Sequence, residues 1–138
     1  MKYINKEFKR MSFHDSYIIV VERIDETTLF YFDFAWLENY SEKNISNDFY
    51  VDNCLLRIES VKNENIQLNF EGTPGHNKRP NQNLTFDSID TKRLSVIMNQ
   101  DIDETNNTII LRAYYKYESM LCMLIWKMEY TKMTLEWK

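Results

Sequence analysis

The chain has 138 residues, a length typical of one domain, and its 43% hydrophobic and 14% aromatic content excludes an intrinsically disordered chain. Its 17 basic and 21 acidic residues give a formal net charge of −4, which argues against nucleic acid or an anionic membrane as a partner. The apolar stretches are far shorter than the roughly 20 residues of a membrane-spanning helix, so we expect a single domain over residues 1–138.

The first predicted elements are two strands joined by a short polar turn. Residues 17–24 and 28–36 are rich in apolar side chains and are separated by Asp25-Glu26-Thr27, which is the pattern of a β-hairpin. Side chains at alternate positions of a strand share one face. The second strand therefore carries four aromatic residues on one face, which we expect to lie in the core: Phe30, Phe32, Phe34 and Trp36.

Alternating apolar residues continue along the rest of the chain. A second hairpin is predicted from residues 53–61 and 66–71, with Lys62-Asn63-Glu64-Asn65 as its turn. Four further strands, at residues 94–100, 108–117, 121–130 and 131–137, form a meander. The pattern predicts an all-β or β-rich α+β fold, an antiparallel meander that forms a single sandwich or a partly open barrel.

Three segments depart from this strand pattern. Residues 72–80 contain both glycines and both prolines and predict an irregular loop. Residues 38–48 are polar and predict an exposed connection or one helical turn. Ile4, Phe8 and Met11 recur at helical spacing and Ser88 can cap a turn, so we expect at most one or two short helices.

The cysteines and the start of the chain indicate its compartment. Cys54 and Cys122 lie in apolar runs, where a free thiol behaves as a small buried hydrophobe and fits a reducing environment. The first eleven residues carry charges throughout and show no export signal, so we expect a cytoplasmic protein.

No pair of histidines or cysteines has metal-ligand spacing, and two glycines cannot build a nucleotide-binding loop. We expect neither a metal nor a cofactor.

The string Phe13-His14-Asp15-Ser16 combines residue types that serve in general base catalysis. Neighbours on an extended chain point to opposite faces, so we do not expect His14 and Asp15 to pair. In the structural interpretation, which we favour, Phe13 anchors the chain in the core, and His14 or Asp15 bonds nearby backbone. We assign no catalytic residue, and the candidate binding residues are His14, Asp15, Ser16 and, from the loop at residues 72–80, His76.

The same string resembles the F-H-D-[AS] opening of the immunity protein 50 family of bacterial polymorphic-toxin systems. In that family the motif leads into a strand and hairpin, here residues 17–24 and 28–36, and then into an apolar strand-turn-strand similar to residues 55–61 and 66–70. The resemblance implies a non-enzymatic cytoplasmic protein that binds and neutralises a cognate toxin. A net charge of −4 suits a basic toxin, because opposite charge speeds the encounter.

Two segments depart from the family pattern, namely the connection at residues 38–48 and the loop that contains His76. Two other functions also stay open. One is a small ligand-binding or hydrolytic β-barrel protein that uses His14, Asp15 and His76. The other is an oligomeric structural protein, for example a homodimer whose exposed edge strands pair with one another.

Overall fold

The computed structural model describes residues 2–38, 49–75 and 78–138, and within them it contains β-strands and three single-turn 3₁₀ helices but no α-helix. The strands are β1 (Lys2–Ile4), β2 (Met11–Ser12), β3 (Ile18–Ile24), β4 (Thr27–Leu37), β5 (Phe49–Glu59), β6 (Lys62–Asn69), β7 (Gln82–Leu84), β8 (Leu94–Asp103), β9 (Thr108–Tyr117), β10 (Met120–Glu129) and β11 (Lys132–Trp137). In this described part of the chain no helix is long and apolar enough to cross a membrane.

The strands form two antiparallel sheets. The first has the order β1-β11-β5-β4-β2, and β3 pairs with β4 on the same side as β2. The second has the order β7-β6-β10-β9-β8. The all-β prediction is confirmed, and the arrangement is that of a sandwich or partly open barrel.

A bent two-stranded ribbon connects the sheets. Strand β5 continues into β6 and strand β10 continues into β11, each across two residues. The pairing persists through the bend, because Lys62 lies opposite Glu129 in the second sheet and Glu59 lies opposite Lys132 in the first. The Ser60 backbone is left-handed there, with φ 56°.

This ribbon corrects two predictions. Residues 53–61 and 66–71 do not form a hairpin, because residues 62–65, the predicted turn, are extended and belong to β6. The final strand leaves the meander and pairs with β5 in the first sheet. In both cases the chain bends into the other sheet at a point where the sequence predicts that it turns back beside the preceding strand. Each strand instead pairs with a strand that is distant in the sequence.

The core lies between the two sheets and is rich in aromatic rings. Trp126, Phe13, Phe30, Phe32 and Phe70 are among the largest fully buried side chains. The predicted burial of Cys54 and Cys122 is confirmed, and Ile66, Leu68 and Trp137 are buried as well. Both thiols are free, as predicted.

The two predicted helical segments are short. Residues Lys2–Ile4 form an edge strand on β11, and only Phe8–Arg10 makes a 3₁₀ turn, so Ile4, Phe8 and Met11 do not share one helix. Ser88 ends the turn Phe86–Ser88 instead of starting one, and its hydroxyl accepts a hydrogen bond from Thr85 N at 2.9 Å. Ile4, Phe8 and Met11 are buried and reach the core from a strand, a single turn and a second strand, whereas Ser88 is exposed.

A polar network ties the β3–β4 hairpin to the second sheet. The Arg23 guanidinium donates to both carboxylate oxygens of Glu64 (Nη1 to Oε1 2.9 Å) and from Nε to Thr28 Oγ1 (3.0 Å), and it lies 4.3 Å from the Phe86 ring centroid. Trp126 Nε1 donates to the same carboxylate at 2.8 Å. Burial alone would raise the pKa of Glu64, but the hydrogen bonds from Arg23 and Trp126 outweigh it and lower that pKa.

Candidate functional site

The Phe13-His14-Asp15-Ser16 string, called the corner segment below, joins the two sheets. Strand β2 pairs with one end of β4. After β2 the chain crosses to β8 of the second sheet and then returns to the first sheet, where β3 pairs with the other end of β4. Asp15 N donates to Ile97 O at 3.0 Å, and Ile97 N donates to Ser16 O at 2.8 Å. Asp15 adopts a left-handed backbone with φ 67°, which Asp tolerates better than most residues.

Two members of the corner segment are fully buried. Phe13 is 0% exposed and stacks on Phe32 with ring centroids 4.3 Å apart. Ser16 is also buried, and its hydroxyl donates to Phe34 O at 2.8 Å. The predicted anchoring role of Phe13 is confirmed, and the Ser16 hydroxyl fixes the backbone of β4.

Gln100 of β8 holds the corner segment from its other side. Its Oε1 accepts a hydrogen bond from Phe13 N at 3.1 Å, and its Nε2 donates to Met11 O at 3.0 Å. One amide side chain thus occupies the outer backbone edge of β2. An occupied edge does not recruit another strand.

His14 and Asp15 are exposed and lie next to each other. His14 Nδ1 is 2.6 Å from Met98 O, and its Nε2 is 3.5 Å from Asp15 Oδ2. The expectation that these neighbours would not pair is wrong, because the left-handed Asp15 turns the chain out of the extended conformation. The prediction that His14 bonds backbone is confirmed, although the acceptor lies on the other sheet.

A groove of about 560 Å³ lies beside the corner segment on the outer side of the first sheet. His14 and Asp15 form part of its wall, whereas Ser16 is buried behind it. Arg10, another wall residue, lies 3.3 Å from the Glu7 carboxylate. Residues that line the groove include Lys9, Arg10, His14, Asp15, Phe34 and Trp36.

Three rings at the edge of this groove contact one another, and we call Phe34, Trp36 and Tyr50 the aromatic cluster. Centroid distances are 5.1 Å for Phe34 and Tyr50, 5.4 Å for Trp36 and Tyr50, and 6.2 Å for Phe34 and Trp36. Trp36 is 48% exposed and Tyr50 is 46% exposed. The prediction that the whole aromatic stripe of β4 is core is therefore correct for Phe30 and Phe32 and wrong for Phe34 and Trp36.

Strands β4 and β5 change face in the middle, which explains the exposed rings. Phe32 and Ala35 are both 0% exposed although they are three positions apart, and Val51 and Cys54 show the same spacing on the paired strand. Regular alternation would bury positions two or four apart. Asn53 has a left-handed φ of 52° at this point, so the backbone irregularity and the change of face coincide.

Polar residues inside the strands are the sequence signal that marks this change. Asp33 interrupts β4, and Asp52 and Asn53 interrupt β5 opposite it. Asp33 is fixed by Tyr17, whose N donates to Asp33 Oδ1 at 2.7 Å and whose O accepts from Asp33 N at 3.1 Å. The prediction from aromatic spacing missed this exposed aromatic surface, because it assumed that side chains alternate between the two faces of β4 without interruption.

Carboxylates dominate the electrostatics around the aromatic cluster. A hydrogen bond from the Tyr50 hydroxyl to Asp52 raises the pKa of Tyr50, and the negative charges of Asp52 and Asp33 act in the same direction. Burial raises the pKa of the Cys54 thiol to about 12, with a smaller contribution from the same two carboxylates. The thiol is therefore protonated at neutral pH, and a thiol is a weak nucleophile.

The remaining predicted site residue, His76, lies outside the described residues, as do residues 39–48 of the predicted connection. Within the part of the chain that the structure describes, no group of three or more His, Cys, Asp or Glu side chains is arranged to hold a metal ion.

Comparisons of the chain with protein-family models, with curated proteins and with solved structures find no match. The resemblance to the immunity protein 50 family stays a prediction.

Proposed function

We propose that this chain is a non-enzymatic, cytoplasmic protein-binding module that inhibits a cognate bacterial toxin through the aromatic cluster and the adjoining groove. The exposed ring contacts carry the proposal. Trp and Tyr are the residues most enriched at energetic hot spots of protein interfaces, because they offer large contact area at small entropic cost. Here a Trp and a Tyr, each about half exposed, are already held in contact by Phe34.

The strand framework supports a preorganised surface. Trp36 and Tyr50 lie directly opposite each other on β4 and β5, within the first sheet. Side chains on paired strands need little reordering when a partner binds, which lowers the cost of association. The groove beside them provides the concave neighbour into which a partner side chain fits.

The corner segment supports binding over catalysis. The Ser16 hydroxyl donates to Phe34 O, and His14 Nδ1 faces Met98 O. The His14 contact links the corner segment to the second sheet. The Ser16 hydrogen bond holds the backbone of Phe34, which belongs to the aromatic cluster. A nucleophile and its base would instead have to be bonded to each other. The residues of the F-H-D-S string thus have structural roles that do not require a reaction.

Toxin protection tests this function. The product of the gene adjacent to this one is induced in a host cell with and without the chain, and colony formation is counted. We expect growth to stop without the chain and to recover with it, and we expect the two proteins to copurify. No recovery with a toxic neighbouring product would refute the proposal.

A variant pair tests the surface. Trp36→Ala with Tyr50→Ala should weaken the complex by about 30-fold or more, the range of hot-spot losses, and should abolish protection. Tyr114→Ala is the matched control, because Tyr114 is an exposed ring (36%) on the second sheet. Protection that survives the double substitution would place the interface elsewhere, provided that thermal unfolding shows all variants to be folded.

A further inference from the structure

Carboxylates and rings alternate on one side of the aromatic cluster. Asp52 lies opposite Phe34 in the β4–β5 pairing, and Tyr50 lies opposite Trp36. Asp33 directly precedes Phe34 on β4. Asp52 lies on β5, whereas Asp33 lies on β4 itself and is bonded to Tyr17 on the side of β4 where β3 pairs. Lys9 and Arg10 of the groove wall precede β2, on the side of β4 away from Asp52.

The two carboxylates have acceptor capacity left. Asp33 Oδ1 accepts from Tyr17 N, and Asp52 accepts from the Tyr50 hydroxyl. A carboxylate offers two oxygens and about four lone-pair sites. Among the residues that the structure describes, neither Asp33 nor Asp52 is in an ion pair with a Lys or Arg side chain.

At two other places in this structure an arginine guanidinium contacts aromatic rings and a carboxylate together. Arg79 lies 5.1 Å from the Phe70 ring and 4.8 Å from the Tyr117 ring, and it is 3.8 Å from the Glu118 carboxylate. Arg23 lies over the Phe86 ring and bonds Glu64, as described above. In both places a guanidinium stacks on an aromatic face while its N–H groups meet an acid.

We propose that the aromatic cluster and Asp52 receive an arginine side chain of a basic partner protein, the guanidinium stacking on Trp36 and Tyr50 and donating to Asp52. The planar guanidinium satisfies ring and carboxylate together, which the compact lysine ammonium does less well. The net charge of −4 favours the approach of a basic partner. This inference rests on the proposed function in one respect, that the ligand belongs to a protein.

The experiment uses small probes, so that it is independent of toxin inhibition. N-acetyl-arginine amide, N-acetyl-lysine amide and the uncharged N-acetyl-citrulline amide are titrated at matched ionic strength into the ¹⁵N-labelled chain. The indole N–H resonance of Trp36, assigned with Trp36→Phe, reports binding. We expect a saturable shift with the arginine probe, an affinity about three- to fivefold lower for lysine, and no saturable shift with citrulline.

Two carboxylate variants locate the contact. Asp52→Asn should lower the affinity for the arginine probe about fivefold, because a charge-assisted hydrogen bond is lost. Asp101→Asn is the control, since Asp101 pairs with Arg112 at 2.6 Å on the second sheet. An absent shift, an equal affinity for lysine, an equal response to citrulline or an unchanged affinity in Asp52→Asn would each overturn the arginine assignment. A negative toxin assay with a positive titration would instead refute only the inhibitor role.

Discussion

The two halves of strand β4 carry similar aromatic residues to opposite surfaces. In the first half Phe30 and Phe32 are 0% exposed, and their rings contact Trp126 at 5.1 Å and Phe13 at 4.3 Å. In the second half Trp36 is about half exposed and contacts rings on the outer face. Residue type therefore does not decide burial in this strand. The polar residues that shift the alternation decide it.

If the proposed function holds, this difference separates stability from recognition within one strand. Rings of the first half are buried between the sheets and stabilise the fold through the apolar area that they remove from water. Rings of the second half keep much of their area in water, so their removal costs the fold little. Substitutions on either side of Asp33 should therefore give opposite patterns in unfolding and in partner binding.

The largest effect is expected in the first half of β4. Phe32→Ala removes a fully buried ring that stacks on Phe13 and Phe30, and it should lower the free energy of unfolding by about 3–5 kcal/mol. Urea unfolding followed by circular dichroism measures this loss. A loss below about 1 kcal/mol, as expected for a surface ring, would contradict the assignment of Phe32 to the core.

The second prediction concerns the polar network around Glu64, which contacts the first half of β4 through Arg23 and Thr28. Glu64→Gln weakens the bonds from Arg23 and Trp126 and should cost about 1–3 kcal/mol at pH 7. The pKa of Glu64 is lower in the folded chain than its ordinary value of 4.5, so its charged form stabilises the fold above about pH 4.5. That contribution disappears as the pH falls through the lowered pKa.

Unfolding at several pH values tests the sign of this linkage. The difference in stability between the native chain and Glu64→Gln should be full at neutral pH and should shrink below about pH 4.5. Glu22→Gln, at an exposed carboxylate on β3, is the control and should change stability by at most about 0.5 kcal/mol. If the difference between the native chain and the Glu64→Gln variant grew on acidification, the lowered pKa would be contradicted.

The third prediction addresses the change of face itself. Asn53 has φ 52°, a conformation that costs a β-branched residue about 1–2 kcal/mol and costs glycine nothing. Asn53→Val should lose that amount of stability, whereas Asn53→Gly should stay within about 0.5 kcal/mol of the native chain. Equal stability of the Val and Gly variants would show that this position does not require the left-handed backbone.

The sequence predicted what depends on neighbours along the chain. Alternation identified most of the strands, apolar context located Cys54 and Cys122 in the core, and the F-H-D-S string was correctly interpreted as an anchor with a buried Phe13. It did not predict features that depend on distant partners. The bend at Ser60 is determined by pairing with β10 and β11, and the acceptor of His14 lies 84 positions away.

The aromatic cluster was missed for a related reason. A period of two was extended across Asp33, although the bonds of that residue to Tyr17 interrupt it. An acidic residue within an aromatic strand, facing Asp52-Asn53 on the next strand, is a local signal that the face changes. Without knowledge that β4 pairs with β5 in this register, the two polar positions could not be recognised as neighbours.

The smallest effect on stability is expected at Trp36, where the comparison within β4 is sharpest. Trp36→Ala removes a ring that is 48% exposed, so the free energy of unfolding should change by no more than about 0.5–1 kcal/mol, far less than in Phe32→Ala. The same substitution should weaken partner binding by about 30-fold or more, since hot-spot energies come from rings that become buried only in the complex. Parallel urea unfolding and partner titration separate the two quantities. If Trp36→Ala destabilised the chain as much as Phe32→Ala, the second half of β4 would be core after all, and neither the binding surface nor the arginine site could lie there.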